Sequence, residues 1–161
     1  TNANLEGFSI GYTHAQAYLA QPGVELVAVA DIKRENAEAL VDFAGGGQPY
    51  TSVEQLLAEQ QIDILSVCTW PTLHAEMVLA AISAGVRIIL CEKPMCMNLR
   101  EADTMIAACE KAGVVFMYAE ELCFTPKYVR AKQLVDEGAL AVGTRALLQV
   151  SLDYLSGGTV R

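Results

Sequence analysis

A chain of 161 residues, 53% apolar and 19% charged, can close one sizeable hydrophobic core and at most begin another, which excludes a disordered or fibrous polymer. A formal net charge of −8 excludes non-specific capture of nucleic acid or of an anionic membrane surface. It leaves phosphate binding open, because the N–H groups at a helix N-terminus hold phosphate without basic side chains.

The opening "TNANLE" is too short and polar to be the central first strand of a sheet. It runs into "EGFSIGYTHAQAYL" (6–19), where Gly7 and Gly11 make an incomplete glycine loop rather than G-x-G-x-x-G. Residues 24–31, "VELVAVAD", predict a strand ending on Asp31. Residues 34–44 carry apolar side chains at helical spacing, and "GGGQP" (45–49) stops them. Ser52, with Gln55 three residues on, predicts a capping box and a helix to about Glu59. Residues 63–69 predict a strand, 73–85 a helix closed by Gly85, and 86–92 another strand. Asn98 caps a helix over 99–113, with Glu101 at its third position and Gly113 at its close. Residues 114–120 predict a strand, Pro126 opens a helix to about Glu137, and 145–155 read as a longer strand.

Near-continuous apolar strands alternating with helices predict an α/β, Rossmann-like fold: a mostly parallel sheet with helices on both faces, here without its first strand. The character of the sequence changes between residues 119 and 126. The expected organisation is therefore a dinucleotide-binding domain over 1–122, incomplete at its N-terminus, and the truncated start of an α+β second domain over 123–161. In such sheets ligands lie beyond the carboxyl ends of the strands. The unusual residues collect at those ends: Asp31, Thr69 to His74, Glu92 with Lys93, and Glu120 with Glu121. Solvated loops would leave the same pattern, so the chemistry of each residue has to be weighed.

Asp31 follows Gly11 by 20 residues, a spacing that suits an acid accepting hydrogen bonds from an adenosine ribose. Its charge disfavours a 2′-phosphate and points to NAD rather than NADP, an inclination softened by Lys33 and Arg34; the plainer reading is a turn or helix cap. A Thr69-Trp70-Pro71 turn presents backbone groups toward a cofactor, and the helix beyond it offers unpaired N–H donors. His74 either faces that cofactor or caps its own helix, and Trp70, the only tryptophan, is either part of the site or a surface aromatic. Lys93 is the catalytic candidate: beside a pyridinium ring a lysine stabilises a developing alkoxide or takes a proton from a hydroxyl. Pro94 biases Lys93 away from helical geometry and keeps it at the strand end. Glu92 and Lys93 alone also fit a solvated ion pair.

No run of roughly 18 apolar residues is present to span a membrane, and no basic stretch with an apolar core opens the chain as a signal peptide. Five cysteines (68, 91, 96, 109 and 123), odd in number and without C-x-x-C, read as reduced thiols of a cytoplasmic protein, and no metal site is expected.

The sequence resembles the glucose–fructose oxidoreductase and inositol 2-dehydrogenase superfamily over about residues 7–152. The resemblance rests on "VELVAVAD" (24–31), "TWPTLHAEMVLAAISAG" (69–85), "CEKP" (91–94), "LREADTMIAACEKAGV" (99–114) and "FTPKYVRAKQLVDEGAL" (124–140). It implies a Rossmann domain joined to a larger, mostly antiparallel sheet domain. The implied reaction is reversible hydride transfer between a nicotinamide and a hydroxyl-bearing carbon of a sugar, cyclitol or related polyol. On that pattern Gly11 falls on the last glycine of the phosphate loop and Asp31 on the ribose acid. Thr69, Pro71 and His74 fall on the nicotinamide-side loop, Glu92 and Lys93 on the E-K-P motif, and Glu121 on a polar position near the nicotinamide. The family's second-domain aspartate, with a histidine four residues on that serves as acid/base, is not met before Arg161. The expectation is thus an NAD-dependent enzyme that forms homo-oligomers; the competing expectation is a truncated, non-catalytic nucleotide-binding or interaction protein. The resemblance does not name the substrate.

Overall fold

Local closing signals set the helices. In the computed structural model, which describes residues 10–138 (121 and 122 by backbone alone), α5 (Leu99–Ala112) begins where Asn98 Oδ1 accepts the Glu101 N–H at 3.0 Å. Glu101 reaches back: its carboxylate accepts from Asn98 Nδ2 at 2.8 Å and from the Met97 N–H at 2.9 Å. The helix ends at Gly113, whose φ of 69° is the left-handed turn that returns the chain toward the sheet. Ser52 likewise caps α3 (Val53–Glu59), accepting the Gln55 N–H at 3.3 Å. The expected reciprocal partner differs, because the Gln55 side chain donates to Glu59 at 2.9 Å and Glu54 takes the Ser52 hydroxyl.

α2 (Arg34–Ala44) has the bounds its periodicity predicts. α4 (Pro71–Ser83) starts two residues before its predicted start, since a proline fits the first helical turn, where no N–H partner is needed. α6 (Pro126–Asp136) follows the same rule, after a short 3₁₀ turn, Glu121–Phe124. α1 (Ile10–Leu19) occupies the stretch read as an incomplete glycine loop.

The strands are parallel. β3 (Ile64–Val67), β4 (Ile88–Cys91) and β5 (Val115–Tyr118) form one sheet in that order, with Val67 level with Cys91 and Cys91 with Tyr118. β1 (Ala28–Ala30) and β2 (Gln48–Tyr50) form a second piece, Val29 opposite Pro49. Among the described residues no strand joins the two pieces. β2 departs from expectation, since Gln48 and Pro49 read as a helix terminator. A proline is tolerated there because β2 lies at a sheet edge and Pro49 need not donate. At Gly47, with φ 109°, the backbone passes so close to Leu26 that a Cβ would stand 2.9 Å from its carbonyl oxygen.

Alternation along β3 places the site. Val67 joins Val78, Ala81, Val86, Ile89, Cys91, Met105 and Cys109 in a core that packs α4 and α5 against β3–β5. Each large apolar side chain buried there contributes about 1.5–3 kcal/mol. Ser66, one residue earlier, points to the other face and meets α1, so helices cover both faces of this sheet. The chain divides into a unit ending at Ala119 and another beginning at Glu120. The strand expected at 145–155 and Gly7 lie outside the described residues. Among those described, no helix is long and apolar enough to cross a membrane.

Candidate functional site

The parallel register brings the ends of β3 and β4 side by side, so the residues just beyond them share one edge. Glu92 extends the ladder by one bond, its N–H donating to Val67 O at 3.0 Å, and its side chain turns inward and is buried. A buried carboxylate needs donors on both oxygens. Oε1 faces His14 Nε2 at 3.0 Å. Oε2 accepts the Lys93 backbone N–H at 3.0 Å and lies 3.5 Å from Lys93 Nζ. Burial pushes the Glu92 carboxyl up, but the His14 hydrogen bond, the Lys93 N–H and the charges of Lys93 and His14 outweigh it and hold the group below the usual carboxylate range.

His14 is itself buried, on α1. Its Nδ1 lies 2.9 Å from Ser66 Oγ, and Ser66 Oγ lies 2.6 Å from the Tyr18 hydroxyl. His14 and Tyr18 are one helical turn apart, so both reach the same β3 residue. Burial raises the Tyr18 phenol above its ordinary value. The neighbouring thiols are inert: burial, reinforced by the Glu92 charge, pushes Cys68 up to about 12, and burial, Cys96 and Glu92 do the same for Cys91. Cys123, in the second unit, is exposed.

His74 has no exposed surface. Its Nε2 lies 3.0 Å from Thr69 O and its Nδ1 3.1 Å from Met95 O, so the ring ties the loop after β3 to the loop after β4. Thr69 and Lys93 are exposed on those loops, Pro71 is half-buried, and Trp70 is 80% exposed at the head of α4. Asp31 stands beyond β1. Its Oδ1 accepts the Lys33 N–H at 2.8 Å and Asn36 Nδ2 at 3.1 Å, closing the turn into α2. Arg34 is drawn along α2 by Glu38, at 2.7 Å.

The candidates thus fall into groups. Thr69, Trp70, Pro71, His74, Glu92 and Lys93 gather at the ends of β3 and β4. Asp31 lies at the end of β1, on the other sheet piece. Gly11 is in the first turn of α1, and Glu121 belongs to the 3₁₀ turn of the second unit, its side chain outside the described residues. Sequence reasoning missed His14, Ser66 and Tyr18. The available signal was a histidine and a tyrosine, His14 and Tyr18, spaced by four on one helix without a charged residue. Among the described residues no group of three His, Cys, Asp or Glu side chains is placed to hold a metal.

Over residues 6–120 the sequence matches the oxidoreductase family with an NAD-binding Rossmann fold, of the Gfo/Idh/MocA type. D-Apiose dehydrogenase of Paraburkholderia graminis is 31% identical over 148 residues, covering 89% of this chain and 39% of that protein. The structure of myo-inositol 2-dehydrogenase from Lactobacillus plantarum superposes with a TM-score of 0.74 at 26% identity, covering 81% of this chain and 39% of that one. WlbA dehydrogenase from Bordetella pertussis, solved with NADH and UDP-GlcNAcA, gives a TM-score of 0.74 at 25% identity, covering 80% of this chain and 39% of its own. The chain spans less than half the length of each of these relatives. The family match covers most of the chain, and the chain belongs to that family.

Proposed function

We propose that this member of the family binds NAD along the carboxyl ends of its strands and serves reversible hydride transfer to or from a hydroxyl-bearing carbon of a sugar, cyclitol or related polyol. The observation that carries the reading is the Glu92–Lys93 pair at the end of β4, an exposed lysine whose acidic neighbour is buried and fully hydrogen-bonded.

The donor set suits a dinucleotide. Asp31 offers a carboxylate already oriented by Lys33 N–H and Asn36, suited to accept from ribose hydroxyls. Its charge repels a 2′-phosphate, and Glu38 engages the nearby Arg34 guanidinium, which supports NAD over NADP. Gly11 keeps the first turn of α1 narrow where phosphate would approach its N–H groups. Thr69, Trp70 and Pro71 supply the nicotinamide side, and His74 contributes by holding the Thr69 loop. When bound, the nicotinamide supplies or accepts the hydride. Lys93 meets the substrate hydroxyl: as the neutral amine it takes the proton on oxidation, and as the ammonium it holds the oxygen by charge and returns the proton on reduction. A cytoplasmic homo-oligomer belongs to the same reading.

The test is an NADH titration of the chain, following quenching of Trp70 and energy transfer to the reduced nicotinamide. Saturable transfer, abolished in an Asp31→Ala variant that keeps its helical circular dichroism, is expected. Folded wild-type protein that shows no transfer would overturn the assignment.

A further inference from the structure

We propose that His14 is a positioning residue for Lys93, acting through Glu92: its ring pins one carboxylate oxygen, so that the other is presented to the lysine at the strand end. The inference rests on the reading of Lys93 as the group that meets the substrate hydroxyl.

An ionised carboxylate only accepts, so the bond to Glu92 Oε1 requires the hydrogen on His14 Nε2. When the ring is neutral Nδ1 is an acceptor and the Ser66 hydroxyl donates to it; when it is charged Nδ1 donates to the Ser66 oxygen. Ser66 Oγ in turn accepts from the Tyr18 hydroxyl. Glu92 thereby fixes the hydrogen on Nε2, and Ser66 and Tyr18 complete the hydrogen bonding on the other side of the ring. Among the described residues no buried side-chain nitrogen or oxygen lacks a partner, so the chain closes without a defect.

The terminal torsion of a glutamate is broad, and nothing intrinsic fixes its carboxylate. Here both Lys93 donors converge on Oε2, and a rotation of the carboxylate would break both bonds. Pinning Oε1 from α1 removes that freedom. Burying His14 and Glu92, with Ser66 and Tyr18 half-buried beside them, where apolar side chains would pack costs desolvation, and simple docking of α1 does not call for it. The groups facing Glu92 are His14 from α1, Lys93, and the thiols of Cys68 beyond β3 and Cys91 at the end of β4.

The experiment compares wild type, His14→Leu and His14→Gln, whose side-chain amide can donate in place of Nε2. Carbon-13 NMR of the full chain would read the Glu92 carboxyl titration and the order of the Lys93 ε-carbon. In His14→Leu the Glu92 midpoint should move up and Lys93 should become more mobile, with recovery of both in His14→Gln. If the protein turns over, kcat should fall about a hundredfold in His14→Leu with the NADH KM unchanged, and recover in His14→Gln. Should His14→Leu not fold, Ser66→Ala, which removes the second hydrogen bond that orients the ring, is expected to move both NMR readouts the same way. An unmoved Glu92 midpoint in a folded variant overturns the inference, as does a moved midpoint with unchanged Lys93 order. If wild type binds no NADH, the functional reading fails while the two NMR readouts still decide whether His14 positions Lys93.

Discussion

Lys93 and His14 show how differently two residues of one cluster can be found. Lys93 was legible because its signal is contiguous: an apolar strand, then Glu-Lys-Pro. His14 was not, because its partners Ser66 and Glu92 lie 52 and 78 positions away and only the folded sheet assembles them. Asp31 carries its plainer sequence reading: it closes the turn into α2 through Oδ1, which accepts the Lys33 N–H and Asn36 Nδ2. At this scale the prediction concerns Lys93. Replacing it with methionine keeps the stem and removes the charge, so kcat for polyol oxidation should drop by about 10²–10⁴-fold. NADH affinity, read from the Trp70 titration, should change far less. Equal losses in both would assign Lys93 to cofactor binding alone.

The elements divide along the same line between local and non-local information. Caps are local, and both Ser52 and Asn98 stand where sequence placed them, closing helices that tertiary packing then stabilises. The bounds of α2 and α5 follow from periodicity followed by glycine. β2 was hidden because three residues including a proline carry no strand signal; its identity comes from pairing with β1. α1 was overlooked because its helical run was read as a phosphate loop. The cap at α5 gives the test. Asn98→Ala removes both its own bond to Glu101 N–H and the return bond from Glu101, so stability should fall by about 1 kcal/mol. Urea unfolding should show a lower midpoint with the slope unchanged. Asn98→Asp, which keeps the acceptor, should recover most of the loss.

At the scale of the whole molecule, the α/β class, the parallel strands and the collection of polar residues at the strand ends were readable from alternation. The separation of β1–β2 from β3–β5 among the described residues depends on which edges pair, and composition does not specify that. One global property follows from Glu92. Its folded carboxyl sits below the ordinary value of 4.5 that the unfolded chain would show, so the unfolded state binds the proton more readily. The resulting stabilisation is whole above that ordinary value and is lost as pH falls through it toward the folded value. Urea unfolding of wild type and Glu92→Gln between neutral and acidic pH should therefore show a stability gap that narrows on acidification. A gap independent of pH would mean that the buried pairing does not set the titration. The thiol environments carry a different consequence. Cys68 and Cys91, held near 12, do not form thiolate at neutral pH, and Cys109 is buried, which leaves Cys96 and Cys123 as the sulfurs a maleimide can reach. With Cys96 replaced by serine, a single dye attaches to Cys123 in the second unit, while the sole tryptophan belongs to the first. One substitution thus gives the chain a donor and an acceptor anchor for a spectroscopic ruler between its two units.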